Sequence, residues 1–119
     1  MKRPHIRAVT ILLAWPLHVL AAGGNWPDYD DAHLKAGREV WLGTCRECHG
    51  NPMSDAPQAK DRSAWTERVA KGSAVLYEHA LKGFEGPSGT EMPARGGNAS
   101  LSDAEVKSAV DYMLKIVAP

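Results

Sequence analysis

One five-residue motif constrains this chain more than any other feature of its sequence. In Cys45-Arg46-Glu47-Cys48-His49, two cysteines separated by two residues are followed at once by a histidine. Thiols at this spacing lie about one helical turn apart, so both can bond to one edge of a flat macrocycle. The histidine that follows can then turn its Nε2 towards the centre of that ring. This CxxCH pattern is the attachment signature of c-type haem, and it predicts one covalent haem c with His49 as an axial ligand of iron.

Three other interpretations of the motif explain less of the sequence. A redox-active CxxC opens a helix next to a βαβ unit, and no strand of useful length with alternating polarity is predicted here. A tetrahedral zinc site needs four ligands, but the chain contains only two cysteines in all. A disulfide across two residues leaves His49 without a role. A haem also supplies apolar surface to a chain whose aromatic residues are few.

The first 22 residues have the layout of a secretory signal peptide. Basic residues stand at positions 2, 3 and 7, a mostly apolar stretch follows from Ala8 to Leu20, and small residues come next in Ala21-Ala22-Gly23-Gly24. The apolar stretch is short for a membrane-spanning helix, and an uncleaved anchor is the alternative. We predict cleavage after Ala22. Residues 23–119 then form one domain that folds in the periplasm or a similar export compartment, with no stable membrane span.

The charge balance limits the class of partner. The 14 Lys and Arg residues equal the 14 Asp and Glu residues, so there is no basic excess that would favour nucleic acid. Three of the basic residues and none of the acidic residues lie in the first 22 positions, so the remainder has a net charge of −3. Such a charge favours protein partners with basic docking surfaces.

Hydrophobic periodicity predicts an all-α fold with long loops. A first helix is expected over about Asp31 to Leu42, with Asp30 or Asp31 as its N-cap and with Gly43 at its end or at the start of the next turn. Three more helices are expected: one with Asp61 or Ser63 as its N-cap that ends at Gly72, one with Ser73 as its N-cap that ends at Gly83, and one from the capping box Ser102-Asp103-Ala104-Glu105 to the end of the chain. Residues 50–60 and 84–100 are expected to be loops, long enough to wrap a disc-shaped cofactor.

Met92 is the predicted second axial ligand. It lies in a glycine-rich segment, Gly89 to Gly97, whose backbone can approach a flat ring, and Pro93 keeps the chain extended after it. Met53 follows His49 too closely to reach the opposite face, and Met113 lies on the apolar stripe of the last helix. His79 is an alternative second ligand. If Met92 is not a ligand, it is expected to be a surface residue in a mobile loop.

With these residues in place, the sequence resembles the class I c-type cytochromes, and in particular the small bacterial cytochrome c-five branch. The resemblance rests on the haem motif, Val69-Ala70-Lys71-Gly72, Ala80-Leu81-Lys82-Gly83 and Met92-Pro93-Ala94-Arg95-Gly96-Gly97. It implies a small fold in which the N- and C-terminal helices cross near Gly37. Two short helices and long loops would then wrap the covalent haem. The extra cysteine pair often found in that branch is absent.

The resemblance also implies a hydrogen-bond partner for His49, and the residues themselves suggest roles for Trp65 and Arg95. The carbonyl of Pro57 is expected to accept a hydrogen bond from His49 Nδ1. Trp65 either caps a haem edge and reaches a propionate through its N–H, or is an ordinary core aromatic. Arg95 either pairs with a propionate or is a solvated loop charge.

The predicted ligand pair decides between functions. Iron held by His49 and Met92 has no open position for a substrate, which favours a one-electron carrier over an enzyme. Its donor and acceptor would be periplasmic redox proteins. Two alternatives keep the haem: a cytochrome subunit bound tightly to a larger periplasmic oxidoreductase, and a ligand-binding haem sensor. A colourless thiol oxidoreductase is a further alternative.

Overall fold

The computed structural model describes residues 25–118, and the predicted signal peptide lies outside this range. The fold is mostly helical, which confirms the predicted class. The elements in chain order are α1 (Ala32–Val40), a π-helical turn (Trp41–Cys45), α2 (Arg46–His49), α3 (Arg62–Ala70), α4 (Ser73–Lys82), β1 (Phe84–Glu85), β2 (Glu91–Met92), a 3₁₀ turn (Ala94–Gly97) and α5 (Asp103–Val117). Between residues 25 and 118, no helix is both long and apolar enough to cross a membrane.

Helices α1 and α5 cross at Gly37, as the resemblance implied. A Cβ built on Gly37 would lie 2.0 Å from the carbonyl oxygen of Ser108, so a larger side chain would push the helices apart. Trp41 and Tyr112 are both fully buried beside the crossing, with ring centroids 6.3 Å apart. The crossing therefore forms the centre of the core.

The periodicity predicted that the first helix ends near Leu42, and this prediction is wrong. The helical backbone continues through the π-helical turn into α2 and reaches His49. Gly43 lies inside that turn and does not take the left-handed conformation with which a glycine ends a helix. The haem motif is therefore held on the continuation of a core helix.

The ends of the two middle helices follow ordinary capping chemistry. Asp61 caps α3, because its carboxylate accepts from the backbone N–H groups of Ser63 and Ala64. The prediction that Ser73 caps α4 is wrong. Gly72, with φ +87°, occupies the cap position and Ser73 is the first helical residue. Gly83 ends α4 in the left-handed region, as predicted.

Residues 84–100, which were predicted to be a loop, contain two short strands and a 3₁₀ turn. Strands β1 and β2 pair antiparallel, with Phe84 opposite Met92 and Glu85 opposite Glu91. Strands of two residues are too short to show an alternating pattern in the sequence, which is why they were not predicted. The capping box at the start of α5 is present as expected: Ser102 Oγ accepts from Glu105 N–H, and the Glu105 carboxylate accepts from Ser102 N–H.

The segment before α1 is part of the core. Trp26 is buried, and its ring lies edge-on to Trp41 with centroids 5.1 Å apart. The Tyr112 hydroxyl donates to the carbonyl of Pro27 over 2.6 Å. The sequence indicated only a polar lead-in here, because periodicity detects helices and strands but not an extended segment that packs through one aromatic ring.

Candidate haem site

The two thiols lie at the junction of the π-helical turn and α2. Cys45 ends the turn and is half-buried, whereas Cys48 in α2 is exposed, and they form no disulfide with each other. Burial raises the pKa of the Cys45 thiol to about 11, and the neighbouring Cys48 contributes to the rise. Both cysteines therefore remain available to bond to a ligand at this corner of the fold.

His49 is buried and fixed in one orientation. Its Nδ1 donates to the Pro57 carbonyl over 2.9 Å, the contact that the resemblance implied. Burial lowers the pKa of His49, the hydrogen bond to Pro57 opposes that change, and the positive charge of Arg68 adds to it. The imidazole is therefore neutral near pH 7. Because Nδ1 carries the proton, Nε2 carries the lone pair that a metal ligand needs.

The loop that carries Pro57 is itself held to α2 and α3. The amide of Gln58 donates to the carbonyl of Cys48 over 3.1 Å, and the indole N–H of Trp65 donates to the carbonyl of Gln58 over 3.0 Å. The Ala59 N–H donates to the His49 carbonyl over 2.8 Å. These contacts hold the Pro57 carbonyl oxygen within hydrogen-bonding distance of His49 Nδ1.

Trp65 lies beside His49 but does not use its N–H as one interpretation of the sequence proposed. Its ring is buried, with its centroid 5.9 Å from the ring of His49. Because the indole N–H already donates to Gln58, the arrangement favours a core aromatic that braces the histidine loop over a propionate donor.

The three methionines in the described part of the chain occupy very different environments. Met53 is 89% exposed in the loop after the haem motif, and Met113 is buried in the core among α5 residues. Met92 is half-buried in β2 and pairs with Phe84 of β1. The ring of His79, the alternative ligand, stacks on Phe84 with centroids 4.0 Å apart. Among these side chains, only Met92 combines partial burial with a position outside the helices.

The structure gives Arg95 protein partners. Its guanidinium donates to the Leu101 carbonyl over 2.9 Å and to the Asp103 carboxylate over 2.6 Å. Pairing with a propionate stays a prediction, and a solvated loop charge does not describe this arrangement. Sequence reasoning missed it because the acceptors lie six and eight residues further along, beyond a turn.

The residues present fit a covalent haem. The site offers two thiols, a neutral imidazole with a free Nε2 lone pair and a half-buried thioether on a separate segment. A porphyrin already supplies four nitrogen ligands, so the chain needs to add only two. Within residues 25–118, no group of three or more His, Cys, Asp or Glu is arranged to hold a metal ion by itself.

The comparisons with known proteins agree with this chemistry. The family model described as cytochrome c oxidase, cbb3-type, subunit III matches residues 32–113. Cytochrome c-555 of Chlorobaculum tepidum is 42% identical over 95 residues, which cover 80% of this chain and 84% of that protein. Cytochrome c5 of Azotobacter vinelandii is 35% identical over 81 residues, covering 66% and 92% of the two chains.

A solved structure is similar in fold as well as in sequence. It is a crystal structure of an electron transfer complex of nitrite reductase with cytochrome c, matched at a TM-score of 0.59 and 34% identity. The match covers 69% of this chain and 94% of that chain. The likeness therefore extends over nearly all of the smaller protein.

Proposed function

The chain belongs to the cytochrome c family, as a class I monohaem member that transfers electrons, and from that premise we propose that it is a periplasmic one-electron carrier with axial ligands His49 and Met92. It is an electron-transfer protein rather than an enzyme. Its haem c is covalent, and since the chain has two cysteines in all, Cys45 and Cys48 are the residues to hold it.

One observation carries the ligand assignment: the 2.9 Å hydrogen bond from His49 Nδ1 to the Pro57 carbonyl. A carbonyl acceptor fixes the tautomer, sets the plane of the ring and makes Nε2 more basic. Burial keeps the imidazole neutral. His49 is thus prepared to ligate iron from a rigid helical position, and no backbone movement is needed when the charge of the metal changes.

Met92 is the proposed ligand on the other face. It lies in strand β2, which pairs with β1. The backbone of Met92 also lies close to the end of α4, since a Cβ on Gly83 would be 3.0 Å from the Met92 carbonyl oxygen. A soft thioether stabilises the reduced iron and raises the reduction potential. Two protein ligands fill both axial positions, which favours electron exchange through the haem edge over binding of a substrate.

The haem, when bound, supplies an iron centre that gains or loses one electron. The chain's residues exclude water from it, hold both axial ligands and leave the exposed Cys48 side of the motif towards solvent. Periplasmic redox proteins are the proposed donor and acceptor.

Absorption spectroscopy of the exported protein tests the ligand pair. We expect a weak far-red band in the oxidised form and no reaction of the reduced form with carbon monoxide. Met92→Ala should abolish the band and allow carbon monoxide to bind. Met53→Ala is the matched control, because Met53 is 89% exposed, and it should behave like the natural protein. A band that survives Met92→Ala overturns the assignment.

A second candidate function is suggested by the family model, whose description is that of an oxidase subunit. A cytochrome that serves as a tightly bound subunit should travel with a larger enzyme during size exclusion of a native extract. A free carrier should elute at the size of a 12.9 kDa chain or slightly below it. Elution only with a larger complex would replace the carrier with the subunit.

The location follows from the predicted leader. We propose that residues 1–22 direct export and that the mature cytochrome domain spans residues 23–119. Sequencing the N-terminus of the protein from a periplasmic fraction tests both. A start at Gly23 is expected, and a full-length chain in the membrane fraction would contradict the proposal.

A further inference from the structure

The segment after Met92 has an unusual backbone. Arg95, Gly96 and Gly97 are three consecutive residues in the left-handed region, with φ of 55°, 63° and 84°. Glycine adopts this conformation freely, but a residue with a Cβ crowds the following carbonyl. Between residues 25 and 118, Arg95 is the one residue other than glycine with a positive φ. Such a conformation persists where surrounding contacts determine it.

The guanidinium of Arg95 makes those contacts. Nη1 donates to the Leu101 carbonyl over 2.9 Å, and Nη2 donates to Asp103 Oδ1 over 2.6 Å. Asp103 is the first residue of α5, and Leu101 directly precedes the Ser102 cap. The Arg95 side chain is 28% exposed, but that of Asp103 is 65% exposed, so the carboxylate end of this ion pair is open to water. A two-point contact from a planar guanidinium fixes direction as well as distance.

Two close backbone approaches flank the same segment on different sides. At the end of α4, a Cβ on Gly83 would lie 3.1 Å from the Ala94 nitrogen. At the haem motif, a Cβ on Gly96 would lie 2.9 Å from Thr44 Cγ2, and Thr44 directly precedes Cys45. These distances show that the backbone of the turn lies close to α4 and to the haem motif, with little room for a side chain on either glycine. The Arg95 contact is the charged and directional one of the three.

We propose that Arg95 is a positioning residue for Met92: by clamping the turn that follows Met92 to the start of α5, it holds the thioether on the iron. The proposal rests on the proposed axial role of Met92. Its effect should be largest in the oxidised protein, because a soft thioether binds the harder ferric ion less strongly. Without the clamp, a larger fraction of molecules should have Met92 off the iron.

Imidazole binding to the oxidised holoprotein measures that fraction. An added ligand binds only molecules whose sixth position is open, so its apparent affinity rises in proportion to their population. Arg95→Gln removes the charge and both guanidinium contacts, and it should tighten imidazole binding about tenfold. Asp103→Asn removes an exposed negative charge but keeps an oxygen acceptor, so it should tighten binding about threefold. Both should also weaken the far-red band. Arg95→Lys should restore part of the loss, because it keeps one donor and the charge.

A double variant of Arg95 and Asp103, together with a control variant, distinguishes positioning of Met92 from a general effect of charge. Arg95→Gln combined with Asp103→Asn should bind imidazole much as Arg95→Gln does, because the arginine substitution already removes the ion pair. Arg62→Gln, which removes an exposed positive charge at the start of α3, should bind imidazole as the natural protein does. A circular dichroism spectrum of each variant verifies that the helices are retained.

Two results would overturn the proposal. Imidazole affinities within twofold of the natural protein for both Arg95→Gln and Asp103→Asn would show that the clamp does not hold Met92. A change in Arg95→Gln alone, with Asp103→Asn unaffected, would overturn the role of the ion pair with α5, whether Arg95 then acted through the Leu101 carbonyl or through the haem. Failure of the ligand assignment itself is distinct, because Met92→Ala would then leave the far-red band of the natural protein unchanged.

Discussion

The backbone of Ser108 occupies the space that a side chain on Gly37 would need: a Cβ there would lie 2.0 Å from the Ser108 carbonyl oxygen and 3.0 Å from Tyr112 Cβ. The obstacle is helix backbone, which cannot rotate away as a side chain could. We expect Gly37→Ala to lower the free energy of unfolding of the holoprotein by about 3 kcal/mol, the upper part of the usual range for overpacking. Chemical denaturation monitored by circular dichroism measures it.

Gly43 offers the matched control for that substitution. It also lies in the first helical segment, but no atom lies within 4 Å of a Cβ built on it. Gly43→Ala should be neutral or stabilise by up to about 1 kcal/mol, since alanine favours helical backbone. Equal losses in the two variants would show that helix propensity, and not the close crossing, governs both.

Tyr112→Phe tests whether the segment before α1 belongs to the core. The variant removes the 2.6 Å hydrogen bond to the Pro27 carbonyl while keeping the buried ring. We expect a loss of about 1 kcal/mol in thermal or chemical unfolding. Tyr29→Phe is the control, since the Tyr29 hydroxyl makes no hydrogen bond within residues 25–118. The substitution keeps the Tyr29 ring, which packs edge-on against Tyr112. A loss as large in Tyr29→Phe would contradict the role of the hydrogen bond.

Trp65→Phe separates the two interpretations of this aromatic residue. The variant removes the donor to the Gln58 carbonyl and part of a buried ring, so we expect about 2 kcal/mol less stability. The reduction potential should change little, because the indole N–H is directed at the protein. A large change in potential at unchanged stability would restore the propionate contact.

The α5 capping box predicts a specific dependence on pH. Hydrogen bonds from the Ser102 backbone N–H and hydroxyl lower the pKa of Glu105 from its ordinary 4.5. A depressed carboxyl pKa stabilises the fold above pH 4.5, and that contribution disappears as the pH falls through the lowered value. The natural protein should therefore exceed Glu105→Gln in stability at pH 7, and the difference should disappear as the pH falls through the lowered pKa of Glu105. Glu67→Gln, at an exposed glutamate without a hydrogen bond in the described range, should show no such convergence.

Local signals in the sequence predicted much of the fold. Capping residues such as Asp31, Asp61 and Ser102 act within three residues, so their sequence patterns translate directly into helix starts. Gly37 was assigned to the helix crossing only through the resemblance, because periodicity shows that a face is buried and not against what. The continuation of the first helix to His49 was missed, since a glycine inside a π-helical turn looks like a helix end.

The contacts at the haem site were likewise predicted only in part. The His49 contact with Pro57 was expected from the resemblance and is present, whereas the contacts of Arg95 depend on how a turn of three left-handed residues directs its side chain. Neither composition nor spacing encodes that direction. Trp26 was missed for a related reason, because its burial depends on an extended segment that folds back on the core.

X-ray absorption at the iron edge tests the central claim most directly, because it counts the sulfur and nitrogen neighbours of iron without relying on a mutation. The account predicts one sulfur and five nitrogen ligands in both the oxidised and the reduced protein, with Met92→Ala losing the sulfur and Met53→Ala retaining it. Iron without a sulfur neighbour in the natural protein, or with a ligand exchanged between the two redox states, would contradict ligation by His49 and Met92.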